Sequence, residues 1–246
     1  MLNRPFIKRS LFLILLIGFL TPKSSFAQFG YKKQKKVVGA NMPKYDRRRF
    51  HFGINIGTQL TGVAVRTIPD LRALQPDTVY SITPLWNPGF TMGIETNMRL
   101  TDNLDLRFTP QLTLTSRTLL FERPAGRIDK FEVEATMVEF PLHIKFKTNR
   151  INNFRAYVLG GAKYVYDISN KIQAENASDY PVKFGAHDVQ AEMGFGMDFY
   201  LPYFKLSTQV KGSWGFINLN YPENNVYNRG IEGLYARGIF LTVLFE

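Results

Sequence analysis

The stretch Met137-Val138-Glu139-Phe140-Pro141-Leu142-His143-Ile144-Lys145-Phe146-Lys147 decides the fold. Val138, Phe140, Leu142, Ile144 and Phe146 are apolar. Glu139, His143, Lys145 and Lys147 fall between them, with Pro141 the odd member. A period of two puts the two sets on opposite faces of a strand. A polar stop follows, Thr148-Asn149-Arg150-Ile151-Asn152-Asn153, and then a second run from Phe154 to Tyr166. Two such runs joined by a short polar turn predict a hairpin. A soluble sandwich could contain one such hairpin. The rest of the chain decides against it.

From Phe50 onward the alternation recurs and predicts eight strands. The first sets Phe50, Phe52, Ile54 and Ile56 against His51, Gly53, Asn55 and Gly57. The second sets Phe90, Met92, Ile94 and Met98 against Gly93, Glu95, Asn97 and Arg99, and the third Leu104, Leu106, Phe108, Leu112 and Leu114 against Asp105, Arg107, Gln111 and Thr113. The hairpin supplies the fourth and fifth. The sixth sets Val189, Met193, Phe195, Met197 and Phe199 against Gln190, Glu192 and Asp198. The seventh sets Phe204, Leu206, Val210, Trp214 and Phe216 against Lys205, Gln209 and Lys211. In the eighth, Ile239, Leu241, Val243 and Phe245 face out.

The connections alternate in length. Thr101-Asp102-Asn103, the Asn-rich turn after Thr148 and Leu201-Pro202-Tyr203 are short. The stretches Arg66 to Asn87, Arg117 to Lys130, Ser169 to Lys183 and Ile217 to Glu232 are long. Short turns on one side and long loops on the other are the build of an outer-membrane barrel. Tilted strands of about ten residues span a bilayer. A closed barrel satisfies every backbone group and has no edge. The fold class predicted is therefore all-β: an eight-stranded antiparallel transmembrane barrel, residues 50–246, with short periplasmic turns and long extracellular loops. Both termini fall on the periplasmic side of the outer membrane of a Gram-negative bacterium. Eight strands leave an interior that side chains fill. Glu95, Arg99, Asp105, Arg107, Glu139, Lys145, Arg155, Glu192 and Asp198, with Lys205, are expected to pair off there as a lumen charge network. Pro110 and Pro141 lie inside strands and are expected to sit in bulges. The fifth strand is apolar on both faces, which leaves its register open. Tyr164, Tyr166, Tyr200, Tyr203 and Trp214 are read as an interfacial girdle, with core packing as the alternative.

Residues 1–27 read as a signal peptide. Arg4, Lys8 and Arg9 precede the apolar run Leu11 to Leu20, and Ser25-Phe26-Ala27 offers a cleavage site. The apolar run is about half the roughly 20 residues of a spanning helix. Residues 28–49 form a basic periplasmic tail. It holds Lys32, Lys33, Lys35, Lys36, Lys44, Arg47, Arg48 and Arg49 against Asp46, a net of +7. Taking the signal's four and the tail's eight from 31 basic residues leaves 19, against 19 of the 20 acids. The barrel is thus formally neutral and the tail carries the excess charge. Lys32, Lys33, Lys35, Lys36, Arg47, Arg48 and Arg49 are read as an electrostatic tail, drawn to anionic lipid or an acidic partner, with a solvated linker as the alternative. Asn41, Pro43, Tyr45 and Asp46 are read as a shaped partner-docking element, because they combine turn formers with an aromatic. An exported barrel has little access to nucleic acid.

Catalytic signatures are missing. There is no cysteine, no Gly-x-Ser-x-Gly, no phosphate-binding loop and no His-Glu-x-x-His. Glu139 and His143 share a face but stand about 13 Å apart at strand spacing. No enzyme activity, cofactor, metal or small-molecule substrate is expected.

Several segments resemble the PorT family. They are Asn41-Met42-Pro43-Lys44-Tyr45-Asp46 with His51-Phe52-Gly53, and Glu139-Phe140-Pro141-Leu142-His143-Ile144-Lys145. Arg150-Ile151-Asn152-Asn153-Phe154-Arg155-Ala156-Tyr157-Val158-Leu159-Gly160-Gly161-Ala162-Lys163-Tyr164 adds the longest match, and Asp198-Phe199-Tyr200 with Tyr203-Phe204-Lys205 extends it. The resemblance implies an outer-membrane barrel required for type IX secretion and, in gliding bacteria, for motility. It implies outer-membrane lipid and other secretion-machinery envelope proteins as partners, and brings no catalytic residues. The alternative is a small general barrel, an adhesin or envelope anchor acting through its extracellular loops.

Overall fold

The computed structural model describes residues 41–68, 79–123, 126–170, 182–221 and 227–246. The signal segment 1–27 and the lysines at 32, 33, 35 and 36 lie outside the described residues. The strands are β1 (Phe50–Thr67), β2 (Ser81–Leu85), β3 (Asn87–Arg99), β4 (Leu104–Phe108), β5 (Gln111–Glu122) and β6 (Ile128–Lys147). They continue as β7 (Phe154–Asp167), β8 (Lys183–Phe184), β9 (His187–Tyr200), β10 (Lys205–Gly215), β11 (Asn220–Tyr221) and β12 (Ile231–Phe245). β2 and β3 are two halves of one stave of the wall, and so are β4 and β5. Each stave pairs antiparallel with the next, and β12 closes on β1 from Ile54↔Phe245 to Thr67↔Ile231. The result is a closed ring of eight staves with no free edge.

The two faces follow the sequence parity. Phe52, Ile54, Met92, Ile94, Leu142, Ile144, Phe146, Phe195, Ile239 and Leu241 are exposed on the outside. Glu95, Arg107, Glu139, Lys145, Glu192, Asp198 and Lys211 are buried inside. A water-soluble protein has the reverse arrangement, so the outer solvent is lipid. The fifth stave, β7, resolves its register by the same rule. Arg155, Tyr157, Leu159, Lys163 and Val165 turn inward, while Phe154, Val158 and Tyr164 turn out. Tyr157 reaches β9, where a side chain at Gly196 would collide with its phenol ring.

The prolines are not accommodated by bulges. Pro110 separates β4 from β5, yet Thr96↔Phe108 and Gly93↔Gln111 keep one register, as do Phe108↔Leu142 and Gln111↔Glu139. Pro141 stays inside β6. Its carbonyl accepts from Thr109 N at 3.1 Å, and that of Pro110 accepts from Ile94 N at 3.0 Å. Each proline therefore deletes one rung of the ladder and leaves the register intact. A shift does occur elsewhere. Between Leu85↔Thr118 and Phe90↔Leu114, residues 86–89 face residues 115–117, so the second stave carries one extra residue there.

The long-loop end is more ordered than its sequence suggests. The stretch read as a loop from Arg117 to Lys130 is mostly strand, because the β5–β6 ladder runs on to Glu122↔Ile128. β8 and β11 pair as a small second sheet within the last two long connections. Above the charged interior the inward side chains become apolar. Val63, Leu119, Phe121, Val133, Ile231 and Leu234 from the staves pack with Val79, Val182, Phe184 and Leu219 from the connections. Phe121, Phe131 and Tyr227 meet edge to face, with centroids 5.0–5.5 Å apart.

The girdle needs one correction. Tyr164, Tyr203 and Trp214 are exposed, but Tyr200 is 2% exposed. It shares parity with Asp198 and so points into the barrel. The short-turn rim is lined instead by phenylalanines, with Phe154 against Phe199 at 5.6 Å and Phe204 against Phe245 at 6.2 Å.

Candidate functional site

The lumen is a stack of ion pairs. In its middle, Glu192 on β9 receives Lys163 at 3.1 Å, Lys211 at 3.1 Å and His143 at 2.6 Å. Lys163 also reaches Glu139 at 3.2 Å, and Gln111 donates to Glu139 at 2.5 Å. One level nearer the short turns, Arg107 pairs with Glu95 at 2.7 Å and donates to Gln209 at 3.0 Å. Lys145 pairs with Asp198 at 2.9 Å and lies 3.7 Å from the Tyr157 ring centre. Lys205 pairs with Glu246 at 2.6 Å, and Lys147 with Asp105 at 2.6 Å. Toward the long loops, Arg117 pairs with Asp167 at 2.9 Å. Charges taken out of water persist only when paired in this way. A void of about 30 Å³ beside Arg117, Glu139, Lys163 and Asp188 has room for about one water. The lumen is packed rather than open.

The short-turn mouth is closed by the chain itself. Residues 41–49 form a strap that includes a single turn of 3-10 helix, Tyr45–Arg47. The Tyr45 ring stacks on His51 at 4.1 Å and meets Tyr200 edge-on at 5.7 Å. Its hydroxyl donates to Glu246. Burial pushes that hydroxyl well above its ordinary range, so it stays protonated and donating. Asn41 N donates to Asn153 Oδ1 at 2.8 Å, and Asn41 Nδ2 to the Tyr200 carbonyl at 2.9 Å. The carboxylate of Asp46 accepts from Arg155 at 3.0 Å, from Tyr200 Oη at 3.4 Å and from Arg150 at 3.5 Å.

The predicted residues divide between these places. Glu95, Asp105, Arg107, Glu139, Lys145, Glu192 and Asp198 lie in the lumen. Arg99 and Arg155 do not reach it. Arg99 sits at the rim, paired with Asp102 at 2.6 Å and bonded to the Asp46 carbonyl, because it is the last residue of β3. Arg155 faces Asp46 at the mouth. Asn41, Tyr45 and Asp46, read as a dock for a partner, are engaged with the barrel's own base, and Pro43 is exposed. Arg47, Arg48 and Arg49 are exposed at the rim beside Lys44.

Sequence reasoning missed several members. Lys163 was hidden by the two-sided apolarity of its strand. His143 shares a face with Glu139 along its own strand, whereas its partner, Glu192, stands on another stave. Glu246 and Tyr45 are linked only by closure of the ring. Lys147 and Lys211 had the right parity and were legible. Among the described residues no group of three His, Asp or Glu is placed to hold a metal ion.

An exterior of apolar side chains around a charged core is an arrangement that only lipid tolerates. A family model described as the outer membrane protein beta-barrel domain matches residues 26–221. The chain belongs to this family. Three solved structures of outer-membrane proteins align with the chain at low identity. The outer membrane protein OprG from Pseudomonas aeruginosa is 10% identical over 81% of this chain and 95% of that one, with a TM-score of 0.44. Neisserial surface protein A is 9% identical over 80% and 98%, with a TM-score of 0.41. Ail, the attachment invasion locus protein of Yersinia pestis, is 10% identical over 80% and 99%, with a TM-score of 0.37. No curated protein matches the chain. As a member of the outer-membrane barrel family, the protein resides in the outer membrane, with Leu142, Ile144 and Phe195 toward lipid.

Proposed function

We propose that this barrel is a non-enzymatic component required for export through a type IX secretion system, with a role in gliding where the cell glides. It acts by binding other envelope proteins, with its short-turn end and both termini in the periplasm. The resemblance of the segments 41–46 and 150–164 to the PorT family supports this reading. The observation that carries it is the blocked lumen, with the strap at one end, an apolar cap at the other and ion pairs between. Such a barrel suits an accessory and not a conduit. Most of its ionisable groups are mutually paired, which suits structure rather than catalysis. The test is gene deletion. Type IX cargo should accumulate in the periplasm while the outer membrane stays intact, and normal cargo secretion would refute the reading.

A second reading is a general barrel acting through its extracellular loops. It is favoured by the β8–β11 sheet and the aromatic cap, which hold the long-loop end in one shape. Exchanging those loops for short turns would then abolish function, whereas an export component working through its periplasmic end would survive.

A further inference from the structure

The short-turn mouth contains more binding chemistry than closure requires. Three donors from three elements converge on one carboxylate: Arg150 from the β6–β7 turn, Arg155 from β7 and Tyr200 from β9. They are built in. Arg155 is 7% and Arg150 10% exposed at the side chain. Arg150 is held by Asn152 O at 2.7 Å and Asn153 Oδ1 at 3.0 Å, and lies 3.7 Å from the Tyr200 ring centre. Arg155 lies farther from the same ring, at 5.7 Å. Its one ion pair among the described residues is with Asp46, and its buried Nε has no hydrogen-bond partner there. Two nearly buried guanidiniums and a phenol aimed at one point make an oxyanion site.

The occupant is an unusual one. Asp46 is the only acid between residues 28 and 49, in a segment of eight basic residues. Lys44, Arg47, Arg48 and Arg49 flank it on the strap, beside a mouth that already holds Arg99, Arg150 and Arg155. These like charges repel one another, and the ion pairs of Asp46 with Arg150 and Arg155 oppose that repulsion. The Asp46 side chain is 36% exposed, so water reaches the carboxylate while the arginines behind it stay buried.

We propose that Arg150, Arg155 and Tyr200 form a receptor for a peptide carboxylate, that Asp46 is its resident internal ligand, and that an acidic segment of an envelope partner takes the site when the strap lifts. This rests on the reading of the barrel as a protein-binding component and specifies the partner's chemistry. A tethered ligand competes at an effective concentration in the millimolar range, so the native chain hides the site from a dilute peptide. Removing the Asp46 charge should reveal it.

The test uses the full chain folded in phosphatidylcholine nanodiscs, with barrel assembly verified by heat-modifiable gel mobility. The probe is a fluorescent peptide, Asn-Met-Pro-Lys-Tyr-Asp-Arg-Arg-Arg, copying residues 41–49, followed by anisotropy. Trypsin cleavage at Lys44 and Arg47–Arg49 reports whether the strap is seated. The Asp46→Asn chain should expose its strap to trypsin and bind the peptide about tenfold or more tighter than the native chain. The same peptide carrying Asn in place of its Asp should not bind. Adding Arg150→Gln and Arg155→Gln to the Asp46→Asn chain should abolish binding. The proposal is overturned if both peptides bind alike, if the triple variant still binds, or if the Asp46→Asn strap lifts and no peptide binds. It is also overturned if that strap stays seated. If soluble glycerol phosphate displaces the peptide fully where equimolar acetate does not, the site serves lipid phosphate and the peptide assignment falls. None of these results depends on cargo secretion, so the site and the export role fail separately.

Discussion

The hydroxyl of Tyr45 donates to the side-chain carboxylate of Glu246, joining residues 201 positions apart across the short-turn mouth. Glu246 is held from the other side by Lys205 at 2.6 Å. The strap is thus fastened to the seam where β12 closes on β1. Tyr45→Phe keeps the stacking on His51 and removes one hydrogen bond to a charged group, at a cost of about 1.5–3 kcal/mol. Tyr45→Ala removes both and should expose the strap to trypsin several-fold faster, with the barrel still heat-modifiable. Equal protection in both variants would show that Asp46 holds the strap alone.

The same bond sets a pH dependence. Burial raises the Tyr45 hydroxyl, so the seated strap favours the protonated form while a released strap ionises near the ordinary value of about 10. The contribution is full below that value and is lost as pH rises above it. Strap protection should be flat in this respect from neutrality to about pH 10 and fall beyond it, and Tyr45→Phe should abolish the alkaline fall. The measurement is the emission of a fluorophore on the strap, followed from neutrality to beyond pH 10.

Leu142 and Lys145 separate the two faces of one strand. Leu142→Arg puts charge into lipid at a cost of roughly 2–4 kcal/mol near the midplane. Lys145→Gln strands Asp198, which keeps Ser207 Oγ at 2.6 Å but loses its 2.9 Å cation. Breaking a buried pair costs about 3–5 kcal/mol. Both variants should lower the temperature at which the heat-modifiable band shifts. Restoring neutrality with Asp198→Asn should recover part of the Lys145→Gln loss and none of the Leu142→Arg loss.

Pro110 and Pro141 each delete a rung without shifting the register. Pro141→Thr supplies the missing N–H opposite Thr109 and should stabilise the barrel by about 0.5–1.5 kcal/mol. A thermal shift upward in the same gel assay is the expected result. A shift downward would mean that the proline ring packs better than the rung it removes.

The packed lumen predicts near-zero conductance from pure protein in planar bilayers. The apolar cap and the strap block it in series with the ion pairs. Phe121→Ala should cost about 3–5 kcal/mol within the cap, because Phe121 is fully buried between Phe131 and Tyr227. It should open the long connections to protease yet leave the bilayer current unchanged. Large steady currents from the native chain would contradict the closed lumen.

The sequence by itself determined the staves and their faces. Strand periodicity is local, and in lipid it is unambiguous: Val138 to Phe146 must face out if Glu139, Lys145 and Lys147 are to avoid hydrocarbon. The eight-stave count followed from the same alternation and from the rhythm of short and long connections. The extent of the long-loop end was not legible, because Arg117 to Lys130 lacks clean alternation where its strands leave the membrane. Which charge meets which was decided only by the tertiary structure. His143 finds Glu192, Lys163 bridges Glu192 to Glu139, and Arg155 turns to Asp46. Each pairing depends on stagger between staves that no single strand encodes. The strap is the clearest case. Asn41, Tyr45 and Asp46 read as a free motif along the chain, and only closure of the ring brings Arg150, Arg155, Tyr200 and Glu246 to one mouth where they can be held.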